Sequence, residues 1–151
     1  MKKYLLFIPL LMIAMIFQSF ISGGSDVLVI VNKDNPISEI SAGEAKLLWL
    51  RKVKKRWPEI NKNIRPAGYK SNNAAQTAFY SKVLNMSAAD VETYFTQKQY
   101  ENAEKPQDKF ASENDLVNFV GDEVGAIGFV SAGSLSAADK AKVKVICTIA
   151  N

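Results

Sequence analysis

Few residue types in this chain are equipped for chemistry, and the best placed of them fall in one stretch. Arg65-Pro66-Ala67-Gly68-Tyr69-Lys70-Ser71-Asn72-Asn73-Ala74-Ala75-Gln76-Thr77-Ala78-Phe79-Tyr80 reads as a strand end, a polar loop and the opening of a helix. Ser71, Asn72 and Asn73 all suit an N-cap, and good helix formers follow at once. A helix start leaves backbone N–H groups unpaired and carries a partial positive charge. With Arg65 and Lys70 on its flanks, such a start has the makings of a seat for an anion, although most loops of this composition only cap a helix. The expected ligand contacts are Lys70, Ser71, Asn72 and Asn73, with Arg65 nearby.

Other chemistries are thinly represented. The 151 residues include no histidine, which removes every Ser-His, Cys-His and His-metal arrangement. Carboxylates such as Asp115, Asp122 and Glu123 sit at no spacing that marks a catalytic pair, so no enzyme activity, metal or cofactor is expected. Cys147, the sole cysteine, permits no intrachain disulfide. It shares the parity of Val143 and Val145 in the alternating run Lys142–Ile149, which points to a buried, inert thiol in a strand.

The first 24 residues read as a leader, not as part of the fold. Lys2 and Lys3 precede the apolar run Tyr4–Ile16, and Ser22-Gly23-Gly24-Ser25 offers small residues for cleavage. That core is short for a membrane span of roughly 20 residues, and no cysteine follows it to carry a lipid. The expectation is a secreted, periplasmic protein with one domain over residues 25–151. Removing Lys2 and Lys3 lowers the formal charge from +4 to +2, too slight an excess to suggest nucleic-acid binding.

The remaining segments supply elements to hold the loop. Asp26–Asn32 is a near-continuous apolar run of strand length, as in a sheet covered on both faces. Ser41 and Glu44 have capping-box spacing ahead of a short helix through Leu50. Arg51-Lys52-Val53-Lys54-Lys55-Arg56 reads as a cationic loop, solvated or facing an acidic partner or membrane, with Trp49 and Trp57 as packing residues. Ile64–Ala67 is expected to be an edge strand, because Pro66 cannot donate to a central ladder. Helices are expected over 74–84, from Ser87 to about Tyr100, and from Ser112 with Gly121 at its C′ position; residues 101–109 read as loop. Val124–Val130 and Lys142–Ile149 read as strands joined by a loop with a helical turn.

Taken in order, these stretches resemble the periplasmic phosphate-binding proteins of ABC transporters, in their short single-domain form. The likeness rests on Val29-Ile30-Val31, Asn35-Pro36-Ile37, Leu47-Leu48-Trp49-Leu50 with Lys52 and Trp57-Pro58, the segment Lys70–Leu84, and Gly125-Ala126-Ile127-Gly128-Phe129-Val130. It covers nearly all of the chain after the leader. The resemblance implies an α/β fold: a single lobe of a type 2 periplasmic-binding-protein-like fold, a mixed sheet with flanking helices. It implies binding of phosphate or a similar small oxyanion, with a membrane transporter or sensor as partner and a homodimer as one way to complete the cleft. The departures lie at the loop itself. Where the family carries Gly-Ser-Gly-Thr, this chain has Asn72-Asn73-Ala74-Ala75, and the family's loop Arg falls near Tyr69. The Gly/Ser-rich phosphate loop of a first lobe has no counterpart. Those losses leave a second reading open, a module that docks onto a periplasmic sensor or envelope protein and no longer transports.

Overall fold

The computed structural model describes residues 25–151; the expected leader lies outside them. Strand β1 (Val27–Asn32) leads to helix α1 (Ala42–Trp49), the short strands β2 (Arg56–Trp57) and β3 (Lys62–Asn63), and strand β4 (Arg65–Tyr69). Helix α2 (Ala74–Ala78) continues without a break into a π-helical turn, Phe79–Leu84. Helix α3 (Ala88–Asn102), strand β5 (Asp108–Phe110), helix α4 (Glu113–Asp122) and strands β6 (Ala126–Ser131) and β7 (Val143–Ile149) complete the order.

The main sheet runs β5-β4-β6-β1-β7. β4 is parallel to β5 and β6, whereas β1 runs antiparallel to β6 and β7. The sheet is therefore mixed and has helices on both faces. Phe129 stacks on Phe79, with ring centroids 4.1 Å apart, and meets Trp49 edge-on at 6.0 Å, so α1 and α2 cover one face. A Cβ at Gly128 would meet Leu116 at 2.7 Å and Val120 at 3.3 Å, which places α4 against the other. One contiguous core runs through both layers.

Local chemistry explains most boundaries. Ser41 with Glu44, and Ser87 with Asp90, form reciprocal capping boxes, and Ser112 caps α4. The fully exposed carboxyls of Glu44 and Asp90 are held below their ordinary range by hydrogen bonds from Ser41 and Ser87. Both tryptophans are packing residues with satisfied indoles: Trp49 Nε1 donates to Ala67 O at 3.2 Å and Trp57 Nε1 to Gly125 O at 2.9 Å.

Three expectations are corrected. β4 is an interior strand, not an edge. Arg65 N–H donates to Gly125 O on the β6 side, and the pleat turns the next position, Pro66, toward β5. The β5 ladder begins only at Ala67, so the proline falls where no partner waits for a donor. Asp108–Phe110, expected as the end of a loop, pairs with β4 as that edge strand. Gly121 lies inside α4, not at C′. Asn32 Nδ2 donates to Val120 O at 3.0 Å and Gly121 O at 2.7 Å, satisfying the last carbonyls without a left-handed residue.

The parity argument for Cys147 is also refined. A bulge between the partners of Val29 and Ile30 switches the pleat at Ile146, so Cys147 is buried while Val145 is exposed. Burial pushes the Cys147 thiol up, which suppresses the thiolate.

Candidate functional site

β4 ends at Tyr69, and the chain turns over Lys70–Asn73 into α2. At this edge a cavity of about 300 Å³ is lined by Tyr69, Lys70, Asn72, Gln76 and Tyr80, by Ala88, Ala89 and Glu92 of α3, and by Lys109 of β5. It opens at the carboxyl ends of two parallel strands, the edge where open α/β sheets place their ligands.

The wall behind the loop is a chain of neutral hydrogen bonds. Asn73 is the N-cap, its Oδ1 accepting from Gln76 N at 2.8 Å. The Gln76 side chain is buried; its Oε1 accepts from Tyr69 N at 2.9 Å and its Nε2 donates to Asn72 Oδ1 at 2.9 Å. Gln76 thus ties the end of β4 to the loop, and it fixes the Asn72 amide with its oxygen turned inward. Gln107, also buried, donates through Nε2 to the Tyr80 hydroxyl at 3.3 Å. Gly68 leaves room for both amides: a Cβ there would come within 2.5 Å of Gln107 Oε1 and 3.3 Å of Gln76 Oε1, and the Gln107 amide would have to shift. Burial pushes the Tyr80 phenol up to about 12, and raises that of Tyr69, whose hydroxyl donates to Phe129 O at 2.7 Å. Both hydroxyls therefore remain protonated at neutral pH.

The charges sit at the rim. Lys70 is exposed and forms no carboxylate pair among the described residues. Lys109 pairs with Glu92 across the cavity. An anion entering here meets two ammonium groups, the Asn72 amide and the positive end of a helix, and competes with Glu92 for Lys109.

Of the residues expected from sequence, Lys70 and Asn72 reach the cavity wall. Ser71 is exposed on the same loop, and Asn73 is committed to the cap. Arg65 is set apart. It lies at the opposite end of β4, about 13 Å away at the usual rise of a strand. It bonds Asp108 Oδ2 at 3.0 Å and Glu123 Oε2 at 2.7 Å and stacks over Phe119 at 4.7 Å. Two carboxylates neutralise it and an aromatic ring holds it, so its work is to tie β4, β5 and the end of α4 together. Gln76, Tyr80, Gln107, Glu92 and Lys109 were not foreseen. Gln76 alone left a local signal, because Asn73-x-x-Gln76 has capping-box spacing; Tyr80 lies one helical turn further on with nothing to single it out, and Glu92, Gln107 and Lys109 come from distant segments.

The architecture has counterparts among known structures. An ABC-type phosphate transport receptor from Vibrio cholerae superposes with a TM-score of 0.60 at 15% identity, covering 82% of this chain and 46% of that one. A Clostridium perfringens protein assigned as a phosphate ABC transporter substrate-binding protein, solved with phosphate bound, gives 0.59 at 12% identity over 85% and 56%. PstS from Borrelia burgdorferi gives 0.57 at 12% over 83% and 48%. The fold is that of the phosphate-transport substrate-binding proteins. At these identities the likeness concerns the substrate-binding-protein fold, and this chain spans about half the length of the structures it matches. No family model and no curated sequence matches the chain.

Proposed function

We propose that this protein binds a small oxyanion, phosphate by default, at the carboxyl edge of β4 and β5, and that it works as a periplasmic binding protein and not as a catalyst. The observation that carries this reading is the loop Lys70–Asn73, which joins a parallel strand to a helix start and opens onto a polar cavity between Lys70 and Lys109. The shared fold with phosphate receptors supports the same ligand class. Lys70 and Lys109 would supply charge, Asn72 an amide donor, Ser71 a hydroxyl at the mouth, and Asn73 with Gln76 the rigid frame. The anion would be held in an open site, where solvent screens charge-assisted bonds, so affinity should fall with added salt. A membrane transporter or sensor is the expected partner. A second copy of the chain, or another protein, would have to supply any second wall.

Titration calorimetry of the purified protein with phosphate and then sulfate at low ionic strength tests the reading. Saturable phosphate binding is expected, weakened roughly tenfold or more by Lys70→Ala or Asn72→Ala, since charge-assisted bonds contribute about 1.5–3 kcal/mol. Absence of heat with both anions would overturn it. Light scattering with and without phosphate checks the second copy: an unchanged monomer mass would exclude it.

A further inference from the structure

A second surface lies away from the anion cavity. Ile37, Ile40, Leu47, Leu48 and Val53 line an apolar groove of about 290 Å³ between the β1–α1 connection, α1 and the loop that follows it. Val53 is 68% exposed and Leu47 38%, among the few large apolar side chains left in water. Glu44 and Lys54 complete the walls.

The segment Arg51–Arg56, the loop carrying Val53 with the first residue of β2, holds five cations, and they divide into two groups. Arg51 and Lys55 are matched by Glu104, at 3.8 and 2.6 Å. Lys52, Lys54 and Arg56 pair with no carboxylate among the described residues. Lys52 lies over the Tyr94 ring at 5.7 Å and Lys54 over Trp57 at 5.3 Å. Lys54 stands on the groove wall, Lys52 and Arg56 lie within three residues of Val53 on the same segment, and no internal acid pairs with any of the three among the described residues. An apolar slot edged by uncompensated positive charge is complementary to an apolar segment with acidic flanks.

We propose that this groove docks a short segment of a partner protein, whose apolar side chains enter between Leu47 and Val53 and whose Asp or Glu residues face Lys52, Lys54 and Arg56. The concavity favours a peptide over a lipid surface. Leu48 is buried and Ile37 and Ile40 are half-buried in the groove, below the reach of a flat bilayer.

The test is selection of a random peptide display library on the purified protein, followed by affinity measurement of the enriched peptides. The expected result is a consensus of apolar residues flanked by Asp or Glu. Its binding should weaken roughly tenfold or more with Val53→Asp, the loss expected when one aliphatic contact is removed. It should also weaken with Lys52→Glu/Lys54→Glu and with rising salt, while phosphate titration stays unchanged. Val53 is exposed, so Val53→Asp should melt as the parent does; Leu47→Asp approaches the groove from α1 as an independent variant. Enrichment of no such motif, or of peptides indifferent to these substitutions, would overturn the proposal. So would binding to phosphatidylglycerol vesicles that is lost in the same variants while no peptide is enriched.

Discussion

Tyr80 shows how a single side chain registers the state of the cavity wall. Its phenol lines the cavity beside Asn72 and Gln76, bonds Gln107, and is held protonated by burial, up to about 12 against an ordinary 10. An unfolded chain releases that proton from about pH 10, so the folded state binds more protons between those values and stability must fall as pH rises through them. Tyr69 acts in the same direction. Thermal melts stepped across this range should show the decline, and Tyr80→Phe should flatten it in part. The acid side runs the other way: the capping carboxyls Glu44 and Asp90 are held low by Ser41 and Ser87, and Asp139 by its hydrogen bonds from Ser136, so their contribution is present above their ordinary values and is lost as pH falls through and below them. Residues of this kind were unevenly legible. The serine caps declared themselves by spacing alone, because a cap is settled within four residues. Lys70 and Asn72 were readable as a loop beside a helix start. Glu92 and Lys109 were not, because their meeting depends on where α3 and a three-residue strand come to lie.

Elements were legible wherever local pattern and burial agree. β1, the helix over 74–84 and β6 follow from apolar runs and good helix formers. β4 was recognisable as a strand but misplaced at the edge, because the proline rule concerns donors and says nothing of how far a neighbouring strand extends. β5 has three residues, two of them charged, so no periodicity exists to read. The β2–β3 hairpin is fastened to the sheet at a point no pattern announces: Gly125 O accepts from both Trp57 Nε1 and Arg65 N, at 2.9 Å each. A Cβ at Gly125 would stand 2.3 Å from Asn63 O, a backbone atom that cannot rotate away. Gly125→Ala should therefore push the hairpin off and cost roughly 1–3 kcal/mol, as overpacking does. Urea denaturation beside Gly133→Ala, where a Cβ meets nothing within 4 Å, checks this; equal midpoints for the two variants would refute the fastening role.

The whole molecule is organised on Phe129. Trp49, Tyr69, Phe79 and Tyr80 all contact its ring, with centroids 4.1–6.2 Å away, so α1, β4 and the helix over 74–84 meet on one side chain. Phe129→Ala should cost about 3–5 kcal/mol, the range for a buried aromatic, and should leave a single cooperative unfolding transition because the core is contiguous. A denaturation curve with two separated steps would contradict that. One further arrangement matters at this scale. β1 begins opposite Ser131, the last residue of β6, and Asn151 returns to Ser25 and Asp26, with Asn151 Nδ2 3.4 Å from Ser25 O. Both ends of the described chain thus leave side by side, at the end of the sheet where β4 finishes but on the β1–β7 side, with β6 between them and β4. A few linking residues would close them into a ring. Equally, residues 25–151 inserted into a surface loop of a host protein would have both junctions at the end of the sheet where β4 finishes. A reporter grafted there would stand two to three strand spacings, roughly 10–14 Å, from β4, at the end of the sheet where the Lys70–Asn73 loop lies, so the meeting of the two ends offers a place from which to watch that loop.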